Sequence, residues 1–193
     1  MPMKAFMQWA PVLPACSRRE ARAAQSSAAY RLAEEMLRQA GYDGVTIAKD
    51  ADGKPFVVDH PELALSVAHT ATLAVCALAV GTAENSPHIG VDAEPCDSVT
   101  REKAIALAAR FFAPTEKAAV HTCAAEEACE QFLRIFTQKE AYGKLIGAGL
   151  AATLATDTED LAFTPQTGLY FQHFRIAEHH VTLCLPKGIS LQL

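Results

Sequence analysis

Two carboxylates stand two residues apart in the stretch HIGVDAEP, at Asp92 and Glu94. In a strand, residues two apart point to the same face, so these carboxylates would lie side by side. Like charges repel unless a cation separates them, and carboxylate oxygens are ligands that Mg²⁺ or Mn²⁺ prefers. A divalent-cation site is therefore one interpretation of the pair. The alternative is two solvated acids that enter a loop before Pro95.

A second group of charges lies in the stretch FTQKEAYGKL, residues 136–145. At about 100° per residue, Lys139 falls near the middle of an apolar helical face, Glu140 lies on its shoulder, and Lys144 follows one turn later. This face comprises Phe132, Ile135, Phe136, Tyr142, Gly143 and Ile146. A cation on a buried face needs a partner, so a phosphate or carboxylate in a cleft is one interpretation, with Glu140 joining Asp92 and Glu94. The alternative is a surface pair of Glu140 with Lys144, with the Lys139 ammonium reaching water.

A third group contains a lysine, a histidine and hydroxyl groups near turns. Lys54 opens the strand-like run KPFVV, just after a turn signal at Asp52–Gly53. His69 and Thr70 end the run LALSVAH and start the next turn. A lone histidine is usually structural, but a histidine beside hydroxyl groups at a strand end also suits a phosphate contact.

The elements that must position these residues form an α+β pattern. A short strand within residues 3–10 precedes a helix from Ser17, with Glu20 as capping partner, to a stop at Gly41. Strand-like runs follow up to HIGVDAE, then helices broken at Ala113–Pro114, a longer helix ending at the GAG of 147–149, and a final set of strands. We expect two α+β halves, residues 1–92 and 93–193, packed as one body with a cleft at the seam.

Composition limits the classes of function. The chain of 193 residues carries a net charge of −5, which argues against general nucleic-acid binding and requires a local cation cluster for any anion. The six cysteines lack a C-x-x-C pair, which favours reduced thiols in a cytoplasmic protein. No apolar run reaches the ~20 residues of a membrane span. At the N-terminus, a first strand is preferred over the alternative, a signal segment ending at Pro14–Cys16.

Five segments in order carry a resemblance to a known family. GKPF, LSVAHT, IGVDAE, RFFAPTE and FTQKEAYGKLIGAGL occur from about Gly53 to Leu150. In order and spacing they resemble the 4′-phosphopantetheinyl transferases, of the larger, surfactin-synthetase-activating type. The most specific elements are G-[VI]-D-x-E and [FW]-[ST]-x-K-E-[AS]-x-x-K. The chain departs from the family at Ala68, where a serine is usual, and at Phe136, where tryptophan is common.

The resemblance implies a fold and an activity. The fold would be two similar subdomains with antiparallel sheets, related by a pseudo-two-fold axis, with coenzyme A in the cleft between them. The activity would be Mg²⁺-dependent transfer of the 4′-phosphopantetheine arm of coenzyme A to a serine of an acyl or peptidyl carrier protein, releasing adenosine 3′,5′-bisphosphate. Such an enzyme would be of the holo-[acyl-carrier-protein] synthase type, monomeric and cytoplasmic, with no nucleic-acid or membrane partner.

The resemblance also implies roles for individual residues. Asp92, Glu94 and Glu140 would ligate the metal, and Glu140 or a metal-bound water would take the serine proton. Lys144 and Lys139 would lie near the pyrophosphate. Lys54 and His69, with Thr70 as a possible hydroxyl contact, would approach the phosphates, and Glu116 would assist at the catalytic site. Two other functions remain open: a non-catalytic coenzyme A or nucleotide-binding module, and a metal-dependent phosphohydrolase.

Overall fold

The computed structural model describes residues 3–13, 17–82, 84–163 and 168–193, and it has the mixed α+β content that the sequence predicts. The strands of the first half are β1 (Lys4–Pro11), β2 (Ile47–Lys49), β3 (Pro55–Val57), β4 (Leu63–His69) and β5 (Leu73–Val80), with helix α1 (Arg18–Gln39) after β1. Then come β6 (Gly90–Pro95), α2 (Arg101–Phe111), α3 (Pro114–Thr122), α4 (Ala128–Ile146), α5 (Gly149–Thr153), α6 (Thr158–Phe163), β7 (Leu169–Ile176), β8 (His179–Pro186) and β9 (Ser190–Gln192).

The predicted helix boundaries are confirmed where the sequence carries capping residues. The Ser17 side chain accepts a hydrogen bond from the backbone N–H of Glu20 at the start of α1. Gly147, with φ of 74°, ends α4 in the left-handed conformation that glycine favours. The short helices α5 and α6 lack such signals and were not predicted from the sequence.

The strands form two larger sheets and one hairpin. The N-terminal sheet has the order β4-β5-β1-β9, the C-terminal sheet the order β6-β8-β7, and β2 pairs with β3. Every pairing is antiparallel except that of β1 with β9, which is parallel. Because β9 follows the C-terminal sheet in sequence but pairs with β1, the end of the chain ties the second half to the first.

The two sheets pack face to face between outer helices. Alternating residues of β1 and β5, such as Met7 and Val75, meet Val91 of β6 and Leu183 of β8 in the largest core cluster. The opposite face of the N-terminal sheet packs against α1. The opposite face of the C-terminal sheet packs against α4. The resulting layers, helix, sheet, sheet and helix, bury the apolar face of every large element.

Strand register repeats between the halves. In the hairpin β4–β5, Leu63 pairs with Val80, and in the hairpin β7–β8, Leu169 pairs with Pro186 at the same offset in residue number. β1 pairs with β5 as β6 pairs with β8. Strand β6 runs across the predicted boundary after residue 92, so a division into two halves, which stays a proposal, would fall before β6.

Other sequence predictions have mixed outcomes. A first strand at residues 3–10 is confirmed by β1, while Pro14 and Cys16 lie outside the described residues. Ile146 was assigned to the buried face of α4, but its side chain is 46% exposed because α4 ends there. The five cysteines that the structure describes are free thiols: Cys76, Cys96, Cys123, Cys129 and Cys184. Within the described ranges, every helix is too short or too polar to cross a membrane.

Candidate metal and phosphate site

Strand β6 places Asp92 and Glu94 on the face of the C-terminal sheet that α4 covers. Asp92 lies opposite Thr182 of β8, and Glu94 lies opposite His180, so the two acids form neighbouring rows of one sheet face. Thr182 contacts α4 through the hydroxyl of Thr137, at 2.7 Å. Asp92 is only 6% exposed. The alternative of two solvated acids entering a loop is therefore wrong for Asp92.

A glycine sets the distance between β6 and α4. An added Cβ at Gly90 would lie 1.9 Å from the carbonyl oxygen of Ala141 and 2.8 Å from the amide nitrogen of Leu145. Only a residue without a side chain allows this approach. The close contact brings the turn of α4 that carries Glu140 and Lys144 against the strand that carries Asp92.

Lys144 bonds across from α4 to β6. Its Nζ lies 2.7 Å from Oδ1 of Asp92 and 3.0 Å from the carbonyl oxygen of Val91. The other carboxylate oxygen of Asp92, Oδ2, is buried and has no hydrogen-bond partner among the described residues. An acceptor in that state costs free energy until a donor or a cation reaches it. Asp92 thus presents one paired oxygen and one open oxygen.

The three predicted metal ligands share one electrostatic environment. Burial, together with the charges of Asp92 and Glu140, raises the pKa of Glu94 to about 7. Burial and the charge of Asp92 also raise the pKa of Glu140, and Lys144 opposes that rise. Mutual repulsion of this kind means that the three carboxylates lie close enough to sense one another. The structure therefore places the three acids within electrostatic range of one another.

These residues fit a divalent cation by their chemistry. The donors are carboxylate oxygens, one of them buried and open, as Mg²⁺ prefers. Among the described residues, no three His, Cys, Asp or Glu side chains already converge on one point in a metal-ligating arrangement. An ion bound to Oδ2 of Asp92 would thus have to draw the side chains of Glu94 and Glu140 inward.

A groove opens between strands β3 and β4 and the C-terminal end of α4, where Lys144 lies. It encloses about 180 Å³, and residues from four segments line it: Asp52, Gly53, Lys54, Pro55, Ser66, Val67, Gly143, Lys144, Gly147 and Gly149. Lys54 Nζ donates to the carbonyl oxygen of Leu145 at 2.7 Å. Burial lowers the pKa of Lys54, while Asp50 opposes the shift. Two lysines, Lys54 and Lys144, thus line the groove.

His69 stands within a group of positive charges. Partial burial lowers the pKa of His69, and the charges of Lys144, Arg22 and Lys49 lower it further. A neutral imidazole at that place can donate a hydrogen bond to an anion without adding charge. Arg22 of α1 and Lys49 of β2 therefore lie near the predicted phosphate contact. Lys49 was missed because an isolated lysine in a short strand carries no spacing signal.

Thr70 was predicted to contact a phosphate, but its side chain does not line the groove. Its side chain is buried, its Oγ1 accepts from the backbone N–H groups of Thr72 and Leu73, and it contacts His179 Nε2 at 3.0 Å. The hydroxyl therefore stabilises the turn between β4 and β5. Ser66, the other hydroxyl near Ala68, accepts from the backbone N–H of Val91 at 3.0 Å. It joins the two sheet edges.

Lys139 and Glu116 also do not reach the acids. Lys139 is 0% exposed, and its Nζ lies 2.6 Å from Oε2 of Glu116, whose side chain is 1% exposed. Burial lowers the pKa of Lys139, and the hydrogen bond to Glu116 opposes that shift. The predicted partner of Lys139 was a phosphate or a carboxylate in a cleft. The partner is a carboxylate, but it belongs to the packed interior.

The chain is similar in sequence to known proteins. A profile described as the 4′-phosphopantetheinyl transferase superfamily matches residues 88–185. A 4′-phosphopantetheinyl transferase of Bacillus subtilis is 28% identical over 111 residues, covering 58% of this chain and 45% of that protein. The 4′-phosphopantetheinyl transferase Sfp of Bacillus subtilis strain 168 is 28% identical over 102 residues, covering 53% and 41%.

A 4′-phosphopantetheinyl transferase of Bacillus pumilus is 27% identical over 142 residues, covering 74% of this chain and 54% of that protein. The chain thus spans about half the length of the curated relatives it matches. Residues 88–185 include the acids of β6 and the lysines of α4, whereas Lys54, His69 and Thr70 precede the matched range.

Proposed function

Because this chain belongs to the 4′-phosphopantetheinyl transferase superfamily, we propose that it transfers the 4′-phosphopantetheine group of coenzyme A to a serine of an apo acyl or peptidyl carrier protein. The products are the holo-carrier and adenosine 3′,5′-bisphosphate, as for an enzyme of the holo-[acyl-carrier-protein] synthase type. The similarity to Sfp and its Bacillus relatives confirms the resemblance seen in the sequence motifs.

One observation carries the proposal most directly. The buried carboxylate of Asp92 has Lys144 on one oxygen and an open position on the other. A site for a pyrophosphate needs a place for a divalent cation and a fixed ammonium next to it. The groove that Lys54 and Lys144 line offers an anion a place beside this pair.

The roles of the side chains follow from their places. Asp92, Glu94 and Glu140 would hold Mg²⁺, with Mn²⁺ as a substitute. When bound, the ion supplies charge neutralisation of the pyrophosphate oxygens. Lys144 would pair with the pyrophosphate, and Lys54 and His69 would hold further phosphate oxygens of coenzyme A. Lys139, Thr70 and Glu116 take no part in these contacts.

The transfer step is a displacement at phosphorus. The serine oxygen of the carrier forms a bond to the phosphorus that bears the pantetheine arm, and the bond from that phosphorus to the bridging oxygen breaks. We assign the serine proton to Glu140, the carboxylate of this group that α4 carries, as the general base. Adenosine 3′,5′-bisphosphate leaves with the electron pair of the broken bond, and Lys144 stabilises its new charge.

The repeat in strand register supports a pseudo-two-fold arrangement of the two halves. We include this relation in the proposal, with coenzyme A bound where the halves meet. A chain that contains both halves of such a cleft would act as a monomer, and we place the reaction in the cytoplasm, where coenzyme A and carrier proteins meet.

The experiment uses the purified chain, coenzyme A, Mg²⁺ and a panel of apo carrier proteins. Transfer increases the mass of a carrier by one phosphopantetheine group, and Asp92→Ala and Glu140→Gln abolish the increase while circular dichroism stays unchanged. Calorimetric binding of coenzyme A without transfer would support the binding module instead. Metal-dependent release of phosphate or nucleotide in the absence of a carrier would support the phosphohydrolase.

A further inference from the structure

The buried pair of Lys139 and Glu116 has every polar atom satisfied. Lys139 Nζ contacts Glu116 Oε2 at 2.6 Å, donates to the carbonyl oxygen of Thr156 at 2.5 Å, and lies 5.1 Å from the centroid of the Phe112 ring. Glu116 Oε2 accepts from the N–H of Ala113 at 3.1 Å, and Oε1 accepts from the N–H and hydroxyl of Thr158 at 3.0 and 2.8 Å. Both charges are thus fully coordinated inside the protein.

Stability alone does not account for such a pair. Removing two charges from water costs about as much as their attraction returns, and an apolar pair of similar volume is often as stable or more stable. What a coordinated pair does provide is a unique geometry, because each atom has fixed partners at fixed distances. The partners come from two segments outside α4, namely the junction of α2 with α3 and the segment that leads into α6.

Glu140 is the next residue along α4. A rotation of α4 by about 20° would carry an atom 5–6 Å from the helix axis by about 2 Å, and so would break the contacts of Lys139 Nζ. The same rotation would carry the Glu140 carboxylate away from Asp92 by a similar distance. Gly90 fixes how near α4 lies to β6, but a close approach does not by itself fix the rotation.

The hydrogen bonds continue from the pair to the sheet. The Thr158 hydroxyl donates to Gln138 Oε1 at 3.0 Å, and Gln138 Nε2 contacts His173 Nε2 at 3.1 Å. His173 Nδ1 contacts the Thr182 hydroxyl at 3.0 Å. Thr182 is the residue opposite Asp92 in β8. One network of hydrogen bonds therefore joins the Lys139–Glu116 pair to strand β8, which lies next to Asp92.

We propose that Lys139 and Glu116 are positioning residues that fix the rotation of α4 and so hold Glu140 beside Asp92, whereas Lys144 is held by its own bonds to β6. Neither residue contacts coenzyme A or the cation. The catalytic consequence of this positioning rests on the proposed function, whereas the fixed rotation of α4 does not. This role differs from the pyrophosphate contact and the catalytic assistance that the family resemblance implies for Lys139 and Glu116.

The test compares three variants: the double variant Lys139→Met with Glu116→Leu, the milder variant Glu116→Gln, and Lys144→Met as a control for a ligand contact. Binding of Mn²⁺ is measured by electron paramagnetic resonance without coenzyme A, binding of coenzyme A by calorimetry, and folding by thermal unfolding. The double variant replaces the pair by apolar side chains of similar volume but leaves the N–H groups of Ala113 and Thr158 without an acceptor. Its Tm should therefore fall, and binding is measured well below that Tm.

We expect the double variant to bind Mn²⁺ about tenfold more weakly and to lose about 10- to 100-fold in kcat, since misplacement by about an ångström has effects of that order. Its Kd for coenzyme A should change by less than about threefold, whereas Lys144→Met should weaken coenzyme A about tenfold or more. Glu116→Gln should show the same pattern with smaller changes, so the test survives if the double variant does not fold.

Two results overturn the proposal. If the variants keep the Mn²⁺ affinity and kcat of wild type, the pair is only structural. If they lose coenzyme A affinity while Mn²⁺ binding is unchanged, Lys139 contacts the ligand. A wild-type chain that binds Mn²⁺ but transfers nothing refutes the proposed function alone. If wild type binds no Mn²⁺, the metal assignment fails, and a crystal structure of Glu116→Gln decides the positioning role by whether α4 has rotated relative to wild type.

Discussion

At the scale of single residues, the candidate site depends on one carboxylate with two unlike oxygens. Asp92 Oδ1 is paired with Lys144, and Oδ2 is buried without a partner among the described residues. Lys144 therefore offsets part of the free-energy cost of burying the Asp92 carboxylate. This arrangement makes Lys144 important for folding as well as for binding an anion.

Replacing Lys144 with methionine tests this dual role. The change leaves the buried carboxylate of Asp92 with no ammonium nearby, so we expect the free energy of unfolding to fall by about 1–3 kcal/mol at neutral pH. Urea denaturation at pH 7 measures the loss. Lys103→Met changes an exposed lysine at the start of α2 and serves as the control; equal stabilities of the two variants would contradict the assignment.

The pKa of Glu94 makes a second prediction at this scale. The pKa is raised from 4.5 to about 7 in the folded protein, so the folded state binds more protons than the unfolded state between these values. Stability from this group is fully present below the unfolded pKa and is lost as pH rises through the folded pKa. The metal-free protein should therefore lose stability from this group across that window.

Chemical denaturation of metal-free protein across the same pH range checks this expectation. Glu94→Gln removes the titrating group and should flatten the decline, and saturating Mg²⁺ should reverse it, because the ion binds the deprotonated carboxylate. An identical decline in wild type and in Glu94→Gln would show that another group is responsible.

At the scale of elements, the sequence predicts more about α4 than about what surrounds it. The helical period places Lys139 on a buried face, and the structure confirms that burial. The period cannot identify the partner, because Glu116 lies on another helix and reaches Lys139 only after α3 and α4 have packed. The acids of β6 were grouped correctly because a strand dictates which residues share a face.

For the hydroxyl group of Thr70, the sequence did not predict the contacts that the structure shows. Thr70 was predicted to bind phosphate because it follows a strand end, but a threonine at that place also satisfies the backbone of the turn. Local sequence does not separate these two uses, since both require a polar side chain at a strand end. The contact with His179, from the other hairpin, decides the matter only in the folded chain.

Gly90→Ala tests the contact between β6 and α4. The added Cβ would overlap the carbonyl oxygen of Ala141 at 1.9 Å, and backbone atoms cannot move aside as a flexible side chain can. We expect the free energy of unfolding to fall by at least the ~1–3 kcal/mol that overpacked cores lose. The fraction of the protein that still folds should bind Mn²⁺ more weakly. A variant with wild-type Tm and wild-type Mn²⁺ affinity would refute the close approach.

At the scale of the whole molecule, the repeat in register gives the N-terminal half a counterpart of the acid site. Gln8 occupies in β1 the place of Asp92 in β6, and Ala10 occupies the place of Glu94. Gln39 of α1 contacts Gln8 at 2.8 Å, as Lys144 of α4 contacts Asp92. The counterpart therefore lacks the two strand carboxylates, and an amide pair replaces the ion pair.

This difference predicts the number of metal ions. Amide oxygens and a methyl group do not provide the charge that a divalent cation needs, so each chain should bind one Mn²⁺ at the acids of β6. Equilibrium dialysis or paramagnetic titration gives the stoichiometry. Two tight sites per chain, or one site that survives Asp92→Ala, would contradict the placement of the metal.

We propose that the acids of β6 and α4 serve a group transfer from coenzyme A to a carrier protein. The most direct measurement is the mass of apo carrier proteins after incubation with the chain, coenzyme A and Mg²⁺, together with the amount of nucleotide released. We predict a gain of one phosphopantetheine group per carrier, with an equal amount of adenosine 3′,5′-bisphosphate. No gain in mass with any carrier of the panel, in samples where the chain is folded and metal is present, would contradict the claim.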